Sequence, residues 1–261
     1  MSQYVPPILY TLFVWWFSTG VILYLDGLPR WTFKWTMLGA TAFLILSLVG
    51  LYVTRQDTRI TGAYLAFTFA LMVWAWQEVA FLLGYVTGPR RTPCPPGATG
   101  WRRAGYALMT MLHHEVALVV LGAMVAATTW DGPNQTGFWT YSVLWISRQS
   151  AKFNVFLGVR NLNESFLPDH LKYLQSYFKR KPVNLLFPVS VITGSAVAWM
   201  LWQQTSIEGI AAFELVSLTF VAALLSLAVL EHWFLVLPLP SEALWSWGMR
   251  SRTTPPAEKL S

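Results

Sequence analysis

The chain has 261 residues, of which 55% are apolar and only 11% are charged, and its mean hydropathy is +0.45. Soluble domains carry about 25% charged residues, so this composition excludes an ordinary soluble protein and indicates an integral membrane protein. The net charge of +6 does not indicate nucleic-acid binding, because the basic residues lie in short loops between apolar stretches.

Seven apolar stretches follow one another along the chain, and each can form a transmembrane helix of about 20 residues. Helices are expected because lipid cannot satisfy the hydrogen-bonding groups of an open backbone. The predicted spans are residues 5–25, 31–53, 60–84, 104–129, 136–159, 185–204 and 209–237. The sequence therefore predicts an all-α, polytopic membrane protein with seven transmembrane helices.

The breaks between the spans also define the domain organisation. Residues 1–240 are predicted to form one transmembrane domain, and residues 241–261 a short cytoplasmic tail. No cleavable leader is expected, since the amino terminus lacks a basic stretch followed by a small-residue cleavage site. A single cysteine, Cys94, excludes a disulfide framework within the chain.

The basic residues predict the orientation of the chain in the membrane. Arg148 and Lys152 lie within the fifth span, and only Arg55 and Arg59 fall in the loops of one side. The other fourteen Lys and Arg residues fall on the opposite side. Because loops rich in Lys and Arg stay in the cytoplasm, we expect the amino terminus outside and the carboxyl terminus in the cytoplasm.

The longest cytoplasmic segment, residues 160–184, joins the fifth and sixth spans. It contains apolar residues at steps of three and four, namely Leu167, Leu171, Leu174 and Phe178. This pattern predicts an amphipathic helix that lies along the membrane surface, with the basic residues 179–181 near anionic headgroups. A docking surface for a partner and a plain connecting helix are the alternatives.

Ionisable and imidazole side chains occur inside four of the spans, roughly 7–17 Å from their cytoplasmic ends at a rise of about 1.5 Å per residue. A charge at the centre of a bilayer costs at least about 2.5–3.5 kcal/mol, so we expect these groups to face one another as a polar layer in the bundle. The layer comprises Glu78, His113, His114, Glu115, Arg148, Lys152, Asn154, Glu231 and His232.

A metal site is one use that such a layer could have. Carboxylates and imidazoles are the ligands of iron, manganese or zinc centres, and the candidate ligands are Glu78, His114, Glu115, Glu231 and His232. The Glu-x-x-His spacing of soluble four-helix sites is absent, and the neighbouring cations compete for the carboxylates.

Pigment binding and a structural network are the other two uses. A ring nitrogen of His113, His114 or His232 can bind the central magnesium of a bacteriochlorophyll. Alternatively, Arg148, Lys152 and Asn154 take part in a network that holds the helices in register, at roughly 0.6–2 kcal/mol for each contact. The tryptophans near predicted span ends are expected to form interfacial belts; these are Trp15, Trp16, Trp31, Trp35, Trp245 and Trp247.

Several long stretches of the chain resemble a known family. They include "QEVAFLLGYVTGPRRTPCPPGATGW", "HHEVAL", "SAKFNVFLGVRNLNESFLPDHLKYLQSYF" and "NLLFPVS". Together they resemble the PuhE family, photosynthetic complex assembly proteins of purple phototrophic bacteria, over residues 13–240. The resemblance implies a multi-pass protein of the bacterial inner membrane, which here means the cytoplasmic membrane or the intracytoplasmic photosynthetic membrane. It also implies assistance to reaction-centre or light-harvesting assembly, for example through supply of bacteriochlorophyll.

Two functional hypotheses follow from these observations. The favoured one is a non-enzymatic assembly or pigment-handling factor, whose partners are the lipid bilayer and reaction-centre or light-harvesting subunits but no nucleic acid. The alternative is a membrane-embedded, metal-dependent enzyme of the di-iron type, which acts in tetrapyrrole or carotenoid metabolism through the Glu and His residues. A transporter is less favoured because inverted repeats are not evident.

Overall fold

Seven long α-helices make up most of the part of the chain that the computed structural model describes, residues 4–253. They are α1 (Val5–Asp26), α2 (Phe33–Thr54), α3 (Ile60–Leu82), α4 (Gly100–Thr129), α5 (Thr136–Leu157), α6 (Leu186–Thr205) and α7 (Ala212–Phe234). The all-helical class is confirmed, and each long helix lies within a few residues of a predicted span.

Six of these helices, all except α5, are long and apolar enough to cross a membrane. This is the pattern of a multi-pass membrane protein. Helix α5 is less apolar because Arg148, Gln149 and Lys152 lie in its second half.

The core is centred on α3 and α7, about half of which is buried among the other helices. On α3 the buried face carries Ala63, Ala66 and Ala70, and such small residues allow neighbouring helices to approach closely. On the same face of α3, the ring of Phe67 stacks on that of Phe220 of α7, with 4.3 Å between ring centroids. This stacked pair joins the two central helices.

The helices run back and forth between two ends of the bundle. At one end, the Tyr4 hydroxyl donates to the carbonyl of Thr205 (2.8 Å), and the Asn134 amide donates to the carbonyl of Thr54 (3.1 Å). We call this the Tyr4 end. The connections that follow α1, α3, α5 and α7 lie at the opposite end.

The connection between α5 and α6, residues 158–184, is here called the cap segment. It contains a nine-residue 3-10 helix, Asp169–Tyr177, where an amphipathic α-helix was predicted. A 3-10 helix has three residues per turn, so its buried Leu171 and Leu174 lie on one side, and both pack with Phe81 of α3. The prediction is therefore wrong in helix type, and the apolar side of the 3-10 helix packs on the bundle.

The cap segment is fixed to the bundle by arginine side chains. The Arg103 guanidinium donates to the carbonyls of Phe156 (3.1 Å) and Tyr177. Arg90 donates through Nε to the hydroxyl oxygen of Tyr177 (2.7 Å). The proline-rich loop before α4 and the cap segment therefore form one folded layer over this end of the bundle.

Residues 241–253 are the described part of the predicted tail, and we call them the strap. The strap packs along α1: the Trp245 indole donates to the carbonyl of Trp16 (3.0 Å), and the Trp16 indole donates to that of Leu244 (2.8 Å). Further along, a β-carbon at Gly20 would overlap the ring of Trp247. The strap is thus part of the folded bundle, while residues 254–261 lie outside the described residues.

We expect stability to depend on pH through His170 of the cap segment. Burial lowers the pKa of His170 below its usual value near 6.5, and the nearby Arg30 and Arg91 lower it further. Below about pH 6.5, His170 therefore binds a proton more readily in the unfolded chain than in the folded chain. The contribution of His170 to the free energy of unfolding is complete above this pH and is lost as the pH falls. His170→Gln should flatten this fall in thermal unfolding measured between pH 5 and 8.

The matched control is His113→Gln, which alters an exposed histidine on α4. The control should keep the pH dependence of the wild type. An unchanged pH dependence in His170→Gln would contradict the role assigned to His170.

Candidate functional site

A cavity of about 420 Å³ lies within the bundle. Helices α1, α3, α4, α5 and α7 surround it, and residues of the cap segment line it as well. Small-molecule sites have volumes of about 300–1,000 Å³, so the cavity has the size of a ligand site. It is the candidate functional site.

Most of the cavity wall is apolar, and much of it is aromatic. Helix α3 contributes Phe67, Trp74 and Phe81, while the cap segment contributes Phe166 and Phe178. Such a wall suits a large apolar molecule, and the few charged groups in it fix the orientation of whatever binds.

An ion pair between α3 and α5 lies in the cavity wall. Arg148 donates through a guanidinium nitrogen to Oε2 of Glu78 (3.0 Å), while Gln77 donates to Oε1 of the same carboxylate (3.2 Å). Both oxygens of Glu78 are therefore engaged. The Arg148 side chain is 43% exposed and is among the residues that line the cavity.

A second ion pair joins α4 and α5 one turn further along. Lys152 donates through Nζ to Oε1 of Glu115 (2.6 Å), and Gln149 donates to Oε2 (2.6 Å). Lys152 lines the cavity, whereas Glu115 on α4 forms the ion pair with Lys152 without being part of the lining. Both oxygens of this carboxylate are engaged as well.

Glu231 of α7 also lines the cavity, and its Oε1 accepts a hydrogen bond from the Trp15 indole (2.7 Å). In the described part of the chain this carboxylate forms no salt bridge, but Arg148 is close enough to interact with it electrostatically. Trp15 was predicted to lie in an interfacial belt. That prediction is wrong, because Trp15 contacts the cavity from the middle of α1.

His114 is the histidine that lines the cavity. Its side chain is 1% exposed, and its ring lies 4.6 Å from that of Phe81. Its Nδ1 is buried without a hydrogen-bond partner among residues 4–253. A buried, unpartnered ring nitrogen is a feature that a ligand or a water molecule can satisfy.

His232 and Asn154 lie in a separate polar network between α5, α6 and α7. The Nε2 of His232 is 2.8 Å from the hydroxyl oxygen of Ser150, and its Nδ1 is 2.8 Å from the carbonyl of Ala228. Ser150 and Asn154 both hydrogen-bond to Ser190 on α6 (2.9 and 3.1 Å). The structure therefore does not bring these two predicted layer residues to the cavity.

His113 lies on the outer face of α4, beside the exposed Met109 and Val116. Adjacent residues of an α-helix point about 100° apart, so His113 cannot share the inward direction of His114. The predicted layer thus divides into the cavity groups, the network around Ser150 and the outward His113.

The residues predicted as metal ligands do not form one cluster. Within residues 4–253, no group of three or more His, Cys, Asp or Glu side chains is placed to hold a metal ion. The carboxylates of Glu78 and Glu115 are occupied by cations and amides, and His232 is bonded to Ser150. The five predicted ligands are therefore divided between separate sets of contacts.

These features define a class of protein, a multi-pass helical membrane protein with a mainly apolar internal cavity that contains charged side chains. The chain belongs to the DUF3623 family, described as protein of unknown function, whose profile matches residues 1–256. A protein of Rhodobacter capsulatus, described as an uncharacterised 30.4 kDa protein in the puhA 5′ region, is 39% identical over 255 residues, which cover 96% of this chain and 92% of the relative. No solved structure is significantly similar to the chain.

Proposed function

We propose that the chain is an integral membrane factor that assists assembly of photosynthetic reaction-centre or light-harvesting complexes. In this role its cavity holds bacteriochlorophyll or a tetrapyrrole precursor of it. The observation that carries the proposal is the aromatic cavity of about 420 Å³, whose polar lining residues include His114, Arg148 and Glu231. The role is binding and transfer rather than catalysis.

Two similarities support the photosynthetic part of the proposal. The motifs quoted above resemble the PuhE family of photosynthetic complex assembly proteins. The relative from Rhodobacter capsulatus is described by its position in the puhA 5′ region, which agrees with a photosynthesis gene context. The expected location is the inner membrane, and the expected partners are complex subunits that receive the pigment.

We further propose that α5 also crosses the membrane, which gives seven crossings with the amino terminus outside and the carboxyl terminus in the cytoplasm. Apart from Arg148, which lines the cavity, the exposed side chains of α5 are apolar; these are Trp139, Ile146, Phe153 and Leu157. A lipid-facing helix surface is expected to have this character. The basic cap segment then lies in the cytoplasm, in agreement with the distribution of Lys and Arg.

Deletion of the gene and complementation test the proposed function. Deletion should reduce the absorbance of assembled reaction-centre or light-harvesting complexes relative to total pigment, and the wild-type gene should restore it. Ala151→Phe fills the cavity, because Ala151 lines it, and should fail to restore the complexes. Ala42→Phe adds the same bulk to an exposed position on α2 and should restore them. Full rescue by Ala151→Phe, at equal protein level in the membrane, would contradict the proposal.

A further inference from the structure

The two ion pairs of the cavity differ in how their acidic and basic members are engaged. Both oxygens of Glu78 and both oxygens of Glu115 are already hydrogen-bonded. Among residues 4–253, one oxygen of Glu231 accepts a hydrogen bond, from the Trp15 indole, and its second oxygen accepts none. The two cations of α5, in contrast, each donate one hydrogen bond in the described part of the chain.

Arg148 and Lys152 both retain donors. A guanidinium has five N–H groups and an ammonium has three. In the described part of the chain, Arg148 uses one of these on Glu78, and Lys152 uses one on Glu115. Because the two residues are four positions apart on α5, they share a helix face, and both line the cavity.

Unused donors on a cation are costly in apolar surroundings, so the ligand that best complements this wall supplies acceptor oxygens. A carboxylate matches a guanidinium especially well, because its two oxygens can accept two parallel N–H bonds. We propose that the cavity binds an apolar molecule that carries a free carboxylate, and that the Arg148 guanidinium contacts this carboxylate directly, with Lys152 beside it.

The apolar body of the ligand contacts the aromatic wall. Trp15 and Trp74 lie on the lining together with Phe81, and rings of this kind accept either a flat conjugated ring system or an acyl chain. The carboxylate is the chemistry that both kinds of molecule share. In the ring-system case, which rests on the proposed function, the ligand is a tetrapyrrole whose propionic acid is still free rather than esterified.

The test compares three probes on the full-length chain in lipid nanodiscs. Pheophorbide a is a chlorin with a free propionic acid, its methyl ester lacks the negative charge, and palmitate is an acyl carboxylate without a ring system. Quenching of tryptophan fluorescence measures binding of the two chlorins, and palmitate is measured by competition. We expect the free acid to bind at least about tenfold more tightly than the ester, since one charge-assisted hydrogen bond contributes this much.

Variants test whether the Arg148 guanidinium causes the preference for the free acid over the ester. Glu78→Gln/Arg148→Gln replaces the ion pair by two neutral amides that can still hydrogen-bond, and the preference for the acid should disappear. Glu78→Gln alone leaves Arg148 charged and should keep or increase the preference. Arg55→Gln is the matched control, because it removes an arginine from an ion pair with Asp131 at the Tyr4 end; the preference should be unchanged. If the double variant does not fold, the wild type and Glu78→Gln decide the test.

Equal binding of acid and ester by the wild type would overturn the inference, and so would a preference that persists in the double variant or an absence of binding by all three probes. Binding of the ester as tight as that of the acid leaves the proposed pigment role standing and overturns the carboxylate inference alone. Competition by palmitate as strong as that of pheophorbide a supports the carboxylate inference and identifies the body as an acyl chain. That last result would count against the pigment-holding part of the proposed function.

Discussion

Arg252→Ala is expected to lower the free energy of unfolding by about 3–5 kcal/mol, the loss found when one partner of a buried ion pair is removed. The Arg252 guanidinium donates to both carboxylate oxygens of Asp26, at distances of 2.6–3.1 Å. The Asp26 side chain is only 1% exposed. Without Arg252, this carboxyl group at the end of α1 stays buried and loses its charged partner.

Denaturant unfolding in detergent micelles measures this loss, and limited proteolysis reports whether the strap detaches from α1. The control is Arg55→Ala, whose partner Asp131 is 69% exposed; it should change stability by about 1 kcal/mol or less. Asp26→Asn in the Arg252→Ala background should recover part of the loss, since the neutral amide is less costly to bury. Equal effects of Arg252→Ala and Arg55→Ala would show that the strap contact does not stabilise the fold.

Lys152→Met should have an effect of similar size, about 3–5 kcal/mol, because it leaves Glu115 charged among packed helices with only Gln149 as a partner. Replacing both members, as in Glu115→Leu/Lys152→Met, should restore stability to near the wild-type value or above it. The physical reason is that well-packed apolar side chains avoid the desolvation that an ion pair incurs.

The single and the double variant are compared with the wild type by denaturant unfolding, as for the strap. Lys172→Met is the control, since Lys172 forms an exposed pair with Asp169 in the cap segment, and its change should be about 1 kcal/mol or less. A double variant as unstable as Lys152→Met alone would mean that the side-chain shapes at these positions, rather than the charges, determine stability.

The positions of the helices could be predicted from sequence because apolar runs of bilayer length have sharp ends. The one larger difference is at α4, which begins at Gly100 instead of at 104. Arg102 and Arg103 end the apolar run, but the backbone continues in helical form past them, and Arg103 is used to hold the cap segment. Hydropathy therefore locates the apolar layer and not the full length of a helix.

The helix type of the cap segment was not predictable from its pattern. Leu171, Leu174 and Tyr177 are spaced by three residues, which matches the period of a 3-10 helix. Over nine residues this period is hard to distinguish from the mixture of three- and four-residue steps in an α-helix, which Leu167 and Phe178 also suggested. The spacing of these three residues agrees with the observed 3-10 helix but is too short a signal to have identified it.

The free-energy cost of placing a charged side chain in a bilayer predicts that polar groups gather inside the bundle. It does not predict how each helix is rotated about its own axis. His113 and His114 are adjacent, and so are Glu231 and His232; in each pair only one member lines the cavity. The exposed Met109 and Val116 mark the outer face of α4 on which His113 lies, yet in a helix apolar on all sides such residues look like core residues. The direction in which Trp15 points from α1, toward the cavity, could not be predicted for the same reason.

The hydrogen bonds of the Arg252 side chain have a consequence for the order in which contacts form during synthesis of the chain. Besides Asp26, this side chain donates to the backbone carbonyls of Ser165 and Phe166, and Phe166 lines the cavity. The strap follows α7 in the chain, so it leaves the ribosome only after every long helix has been made. Until then the Asp26 carboxyl group at the end of α1 has no Arg252 partner, so the contacts that join the strap to α1 and to the cap segment are among the last to form in the nascent protein.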